Sequence, residues 1–184
     1  MSTIQLNSPL TLAELRDRSI SFWHLSVAHV RTHWVAYAAI WALWMVSSAN
    51  YVLGFNQTAS LPQSVFVIHK HEPVSKGEYV AFHVPPEAAR HFKNSKATLT
   101  KIAVGVEGDV VTVVNRVVHV NGTPVGYAKE KSLKGEELFP IAPVTVPAGH
   151  LYVMGLHKDS LDSRYTIVGL VPFESVVGRA YPIV

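Results

Sequence analysis

The most unusual feature of the sequence is a long apolar stretch that no charged residue interrupts. From Thr32 to His69 the chain has no Asp, Glu, Lys or Arg, and residues 34–55 are its most apolar part. At about 1.5 Å of rise per residue, a helix of this length covers the roughly 30 Å hydrocarbon core of a bilayer. The pattern therefore predicts one transmembrane helix over residues 34–55.

Two other interpretations of this stretch remain open. A helix buried in a protein core is one, although such a helix usually keeps a polar face. A cleaved secretory leader is the other, because Ser47, Ser48 and Ala49 give the small residues that precede a leader cleavage site. About thirty residues precede the apolar run, which is long for a leader, and this favours a retained anchor.

The charges that flank the apolar stretch predict its orientation. Arg16, Arg18 and Arg31 precede it, and the next basic residue after it is Lys70. Because basic residues stay on the cytoplasmic side, residues 1–33 are expected to form a cytoplasmic, partly helical arm. The larger part of the chain would then face outward.

Residues 56–184 alternate between short apolar runs and turn residues, which is typical of β structure. Asn121-Gly122 predicts a hairpin turn, and Gly108-Asp109 predicts a second reversal. A Lys/Glu-rich loop is expected over residues 129–137. The fold class predicted is a mainly β, antiparallel domain behind one transmembrane helix. Its strands are expected at residues 64–68, 79–84, 99–105, 110–115, 116–120, 151–154 and 175–181.

Composition excludes several kinds of site. The chain has no cysteine, which removes disulfides, thiol nucleophiles and cysteine-bound metals. A net charge of +3 without a dense basic run gives no support for nucleic-acid binding. His24, His29 and His33 lack accompanying carboxylates in any metal-site pattern, so neither a metal site nor a cofactor is expected.

Three segments carry residues with chemical potential. Ser60 lies in a Thr/Pro-containing loop that directly follows the apolar stretch, and residues 154–165 form a polar, charged loop between apolar runs. Lys101 lies in a predicted strand among small and apolar neighbours. It is either an edge-strand lysine with its ammonium group in water, or a desolvated lysine whose lowered pKa lets it act as a base.

Taken together, these segments resemble the type I signal peptidases. The resemblance covers residues 34–184 and rests on Ser60-Leu61-Pro62, on the run from Lys101 to Gly105 with Gly108-Asp109, and on the run from Asp159 to Tyr165 with Gly178-Arg179-Ala180. Within that family the sequence looks most like the TraF-type peptidases of conjugative transfer systems, which mature pilin subunits.

The resemblance implies a role for each matching residue. Ser60 would be the nucleophile and Lys101 the general base of a Ser/Lys dyad, with oxyanion donors from the Ser60 backbone N–H and the Thr58 hydroxyl. Ser160 would orient the lysine. Asp162 and Arg164 would support the loop as an ion pair.

The function implied is that of a serine endopeptidase of the inner, cytoplasmic membrane, with a periplasmic catalytic domain. It would cleave signal or pro-segments of exported proteins, with a pilin precursor as the favoured substrate. Membrane lipid and a conjugation or secretion apparatus are the other expected partners. Transfer of the acyl group to an amine, which would cyclise a peptide, stays open. The alternative is a non-catalytic scaffold of a secretion or pilus complex.

Overall fold

A computed structural model describes residues 12–56, 60–85, 88–89 and 98–183 of the chain. The chain divides into two compact units, residues 1–47 and residues 48–184. The first unit contains most of helix α1, Leu12–Asn50, whose backbone departs from helical geometry at His33. Large apolar side chains along this helix, such as Trp34 and Trp41, are exposed.

The apolar stretch is not one helix, which corrects the predicted span over residues 34–55. Helix α1 ends at Asn50, and Tyr51–Phe55 form strand β1, which pairs with the strand over Val65–Lys70. The tyrosine, valine, leucine and phenylalanine of β1 suit a strand, and the Tyr51 ring stacks on that of His69 at 4.6 Å. In the described parts of the chain, no helix combines the length and the apolarity needed to cross a membrane.

The second unit is antiparallel β structure, as predicted. After β1, the strands are β2 Val65–Lys70, β3 Tyr79–His83, β4 Thr98–Gly105, β5 Val110–Val114, β6 Val117–Val120, β7 Thr123–Tyr127, β8 Val144–Thr145, β9 His150–Met154, β10 Val171–Pro172 and β11 Val176–Pro182. Strands β2, β3, β4, β5, β6, β9 and β11 overlap the seven runs expected from the sequence. Strands β1, β7, β8 and β10 were not predicted.

The described strands form two sheets. One has the order β1-β2-β11-β3-β4-β9-β10 and the other has the order β7-β6-β5-β8, and every pairing is antiparallel. Both faces of the larger sheet are covered, because Val80 and Phe82 of β3 pack in one apolar cluster while Ala81 packs in another. The smaller sheet packs in a third cluster around Val111, Val118 and Tyr152.

Turn residues set the strand boundaries. Asn121 and Gly122 both have positive φ, 50° and 78°, at the tight turn between β6 and β7, which confirms the predicted hairpin. A second such turn was not predicted: Asn115 and Arg116, with φ of 49° and 65°, join β5 to β6. The sequence interpretation had placed these two residues inside the flanking strands.

Candidate active site

Lys101 lies in the middle of the larger sheet. Strand β4, which carries it, pairs with β3 on one side and with β9 on the other, so it is not an edge strand. Lys101 is paired directly with the fully buried Val80 and shares its face of the sheet with Leu99 and Ala103. The interpretation of Lys101 as an edge lysine with its head in water is therefore excluded.

Burial changes the protonation of this lysine. The residue is 3% exposed, and burial lowers the pKa of Lys101 from 10.5 to about 8. The carboxylate of Asp162 acts against this shift, and the guanidinium of Arg164 adds to it. At pH 7 about one molecule in ten thus carries a neutral amine. Such an amine can accept a proton, which an ordinary lysine cannot do at this pH.

Ser60 begins the turn that leads into the core residue Leu61 and is 5% exposed. Its carbonyl oxygen accepts hydrogen bonds from the backbone N–H groups of Leu156 and His157, at 2.8 and 3.2 Å. A Cβ atom at Gly155 would lie 2.9 Å from the same oxygen, closer than such atoms approach in proteins. The missing side chain at Gly155 therefore lets the serine segment dock against the loop after β9.

The loop after β9 brings a hydroxyl group to the lysine. Lys101 Nζ donates a hydrogen bond of 2.9 Å to Ser160 Oγ, and both side chains are buried. The two residues are far apart in the sequence, on β4 and in the loop that follows β9. Any shift of this loop would consequently alter the position of the lysine amine.

A buried ion pair holds that loop in shape. Arg164 Nε and one of its terminal nitrogens donate to the two carboxylate oxygens of Asp162, each at 2.8 Å. Asp162 also accepts the backbone N–H of Gly155 at 2.9 Å, and Arg164 donates to the carbonyl of Ser160 at 3.1 Å. Burial is the strongest single influence and acts to lower the pKa of Arg164, but the hydrogen bond to Asp162 and the charge of that carboxylate, with smaller contributions from Tyr165 and Tyr152, together raise it.

A cavity of about 320 Å³ joins these groups, and we call it the serine–lysine cavity because Ser60 and Lys101 both line it. Ser160 lines it too. Much of its remaining wall is apolar, from Leu99, Leu138, Leu161 and Tyr165. A buried serine and a buried lysine in one apolar-walled cavity form a setting in which a serine hydroxyl can be deprotonated.

The structure places the residues expected from the sequence as follows. Ser60, Lys101 and Ser160 line the cavity, whereas Asp162 and Arg164 lie behind it and bind the loop. Thr58 lies outside the described residues. The sequence assigned no role to Gly155 or to the Lys/Glu-rich loop, three of whose lysines line the cavity. The loop stood out in the sequence by its closely spaced lysines, but that spacing does not show which part of the fold the loop lies against.

Comparison with known proteins finds one family and a similar solved structure. Residues 26–184 match the family described as signal peptidase, peptidase S26. A solved structure of a signal peptidase I from Enterococcus faecalis V583 is similar at 24% sequence identity with a TM-score of 0.37, covering 59% of this chain and 97% of that one. No curated protein matches the chain.

The family match spans most of the chain, and the chain therefore belongs to the S26 signal peptidase family. Members of this family are serine peptidases that cleave signal peptides, so exported precursor proteins are their substrates.

Proposed function

We propose that this protein is a serine endopeptidase in which Ser60 is the nucleophile and Lys101 the general base. Ser60 Oγ attacks the scissile carbonyl carbon while its proton passes to Lys101 Nζ, which then protonates the leaving amine as the peptide bond breaks. Water, deprotonated by the same amine, then hydrolyses the ester and frees Ser60. Attack by a peptide amine instead of water would join two chain ends.

The burial of Lys101 is the observation that carries this proposal. A pKa of about 8 leaves part of the amine neutral at physiological pH, and the hydrogen bond to Ser160 Oγ fixes its position beside the cavity. An exposed lysine would be almost fully protonated and a poor base. The alternative of a non-catalytic scaffold gives no reason to maintain a desolvated amine beside a serine, so the burial favours the peptidase.

The remaining site assignments rest on the family resemblance. The tetrahedral oxyanion needs hydrogen-bond donors, and we assign these to the Ser60 backbone N–H and the Thr58 hydroxyl. Ser160 orients the amine, while Asp162 and Arg164 keep its loop in place through the ion pair described above. An extended substrate would add to a strand edge near Ser60, with small residues at the first and third positions before the scissile bond.

The finer assignments of substrate and place follow from the sequence. The TraF-like arrangement of the motifs favours a pilin precursor of a conjugative transfer system. The arginines at 16, 18 and 31 favour a cytoplasmic N-terminus. The helical part of the apolar stretch, residues 34–50, would be associated with the inner membrane, and the β unit that begins with β1 would lie in the periplasm. In this proposal the nucleophile lies close to the membrane surface at which a precursor emerges.

The test is processing of an exported precursor by cells that produce the full chain. Ser60→Ala and Lys101→Met should each reduce processing at least about a thousandfold, because either change removes the proton transfer that activates the nucleophile. Alkaline extraction and intact mass of the same samples should find the whole chain, including residues 1–49, in the membrane fraction.

Two matched variants serve as controls. Ser64→Ala removes an exposed serine four residues beyond Ser60, and Lys158→Met removes an exposed lysine that does not line the serine–lysine cavity. Both should process the precursor at the wild-type rate. Full processing by both Ser60→Ala and Lys101→Met would refute the peptidase dyad and leave the scaffold.

A further inference from the structure

The Lys/Glu-rich loop borders the serine–lysine cavity, and we call residues 129–138 the rim loop. Lys129, Lys131 and Lys134 all line the cavity, as does Leu133, whose side chain is 81% exposed. Among the described residues no glutamate lines the cavity, although the same loop also contains Glu130, Glu136 and Glu137. Of the charged side chains of this loop, the cavity lining therefore takes lysines, although Glu137 lies directly opposite Lys131 across an antiparallel bridge.

Backbone hydrogen bonds give the rim loop a defined hairpin conformation. Its backbone folds back on itself through the bond from Leu138 N–H to Glu130 O at 2.7 Å and that from Ser132 N–H to Glu136 O at 2.8 Å. The chain reverses near Gly135, whose positive φ of 81° suits glycine. These bonds hold Lys131 and Lys134 on defined sides of a short hairpin.

Arg116 anchors both ends of this hairpin. Its guanidinium donates to the carbonyl oxygens of Ala128, Lys129 and Leu138 at 2.7, 2.6 and 2.8 Å. At the cavity mouth, Lys129 also bonds to Asp159 of the loop that carries Ser160. Charge-assisted bonds at both ends keep the lysines beside the cavity.

The charge at this rim is only partly balanced. Asp159 neutralises Lys129, but no carboxylate within the described residues lies at ion-pair distance from Lys131 or Lys134. Two ammonium groups that have no ion-pair partner among the described residues, one of them opposite Glu137 in the hairpin, therefore border a cavity whose remaining wall is largely apolar. A low-dielectric wall strengthens the field of such charges and favours an anionic group in the cavity.

We propose that the rim loop selects substrates with an acidic residue beside the scissile bond, through Lys131 and Lys134. This inference rests on the proposed function, because it takes the occupant of the cavity to be the peptide that Ser60 cleaves. The acidic side chain of the substrate pairs with the two lysines at the cavity mouth while its backbone lies along the cavity toward Ser60. Lys131 and Lys134 are specificity residues and take no part in bond breaking.

The test uses the full chain in a neutral detergent with a set of quenched fluorescent peptides. Each peptide carries alanine at the first and third positions before the scissile bond, and Asp or Lys at one of the other flanking positions. At one position or more, the wild type should cleave the Asp peptide about three- to tenfold faster, in kcat/KM, than its Lys counterpart. Raising the salt concentration should reduce this ratio, because solvent-exposed charges are screened.

Charge reversal supplies the decisive comparison. The double variant Lys131→Glu with Lys134→Glu should invert the preference, and the pair Lys131→Gln with Lys134→Gln should abolish it without inverting it. As a control, Lys158→Glu makes one such lysine-to-glutamate change on an exposed lysine that lines a second cavity, of about 640 Å³. This variant should keep the wild-type ratio of Asp to Lys peptide cleavage. Equal cleavage of Asp and Lys peptides, or a ratio that reversal leaves unchanged, overturns the inference.

Failure of the inference can be told apart from failure of the proposed function. Cleavage that needs Ser60 and Lys101 but shows no charge preference would overturn only the role of the rim loop. Cleavage that persists in Ser60→Ala would overturn the peptidase assignment itself. Binding of the same peptides to Ser60→Ala, measured by fluorescence anisotropy, reports recognition of the acidic residue without turnover and should show the same order of affinities.

Discussion

The serine–lysine cavity is lined by one buried lysine and by lysines of the exposed rim loop, and the two environments differ in their access to water. Lys101 lies on an internal strand, is almost fully buried and has a pKa lowered to about 8. Lys131 and Lys134 lie on an exposed hairpin loop at the same cavity. One residue type therefore supplies a base where water is excluded and a positive charge where water remains.

The difference teaches that position in the fold, and not residue type, decides what a lysine does. At the buried Lys101, desolvation disfavours the ammonium ion, while Asp162 raises the pKa of this lysine and Arg164 lowers it. At the rim, solvent stabilises the charge, so the lysines are suited to recognition but not to proton abstraction.

The largest effect on stability is expected from breaking the buried ion pair between Asp162 and Arg164. Asp162→Ala should lower the free energy of unfolding by about 3–5 kcal/mol, because it leaves the guanidinium of Arg164 buried without its partner charge. Chemical denaturation followed by circular dichroism measures this loss. Asp159→Ala, which removes the partly buried partner of Lys129 at the rim, should cost less, because neither residue of that pair is fully buried.

A double variant separates the ion pair from the rest of the loop. Asp162→Ala combined with Arg164→Met should recover part of the stability that either single change loses, because no uncompensated charge then stays buried. Additive losses in the double variant would show that the two side chains do not stabilise the loop as a pair.

The next effect concerns the pH dependence of cleavage. Because the neutral form of Lys101 is the proposed base, kcat/KM should rise about tenfold per pH unit below the pKa of about 8 and level off above it. Peptides without titratable groups, assayed from pH 6 to 10, give this profile. Lys158→Met should leave the midpoint where it is.

Two results would contradict this assignment. A profile already flat from pH 6 would mean that the base has a much lower pKa than Lys101. A midpoint near 10.5 would mean that the lysine is solvated in the active molecule.

The smallest of the three effects is a gain in stability. The lowered pKa of Lys101 corresponds to a cost of about 3 kcal/mol for burying its charge, part of which its hydrogen bonding offsets. Lys101→Met should therefore raise the free energy of unfolding at pH 7 by about 1–2 kcal/mol while it abolishes cleavage. Lys134→Met, at the exposed rim, should change it by less than about 0.5 kcal/mol.

The pH dependence of that gain provides its check. Between about pH 8 and pH 10.5 the unfolded chain still binds the lysine proton and the folded chain does not, so the wild type gains stability as pH rises. The gain in the free energy of unfolding that Lys101→Met shows over the wild type should therefore shrink across this pH range and vanish near its upper end. Near-ultraviolet circular dichroism of tyrosines suits the measurement, because all four tryptophans lie before residue 48. An advantage that stays constant with pH would contradict the buried-charge explanation.

Local patterns in the sequence determined much of the fold. Alternating apolar residues and turn residues predicted seven of the strands and the Asn121-Gly122 hairpin, because strand pleating and positive φ depend on neighbouring residues. Strand β1 was not predictable in this way. Its residues continue the apolar run of the helix, and only pairing with β2 makes them a strand.

The motifs in the sequence also located the chemistry, because serine, lysine and the Asp159–Tyr165 segment occur in the order of a known family. Period-two alternation showed apolar neighbours around Lys101 but left its exposure undecided. Its exposure depended on the pairing of β4 with β3 on one edge and with β9, from a distant part of the sequence, on the other. The pKa of the lysine, the docking of Ser60 against Gly155 and the direction of the rim lysines were therefore decided by tertiary structure, since desolvation and proximity arise only when distant segments pack together.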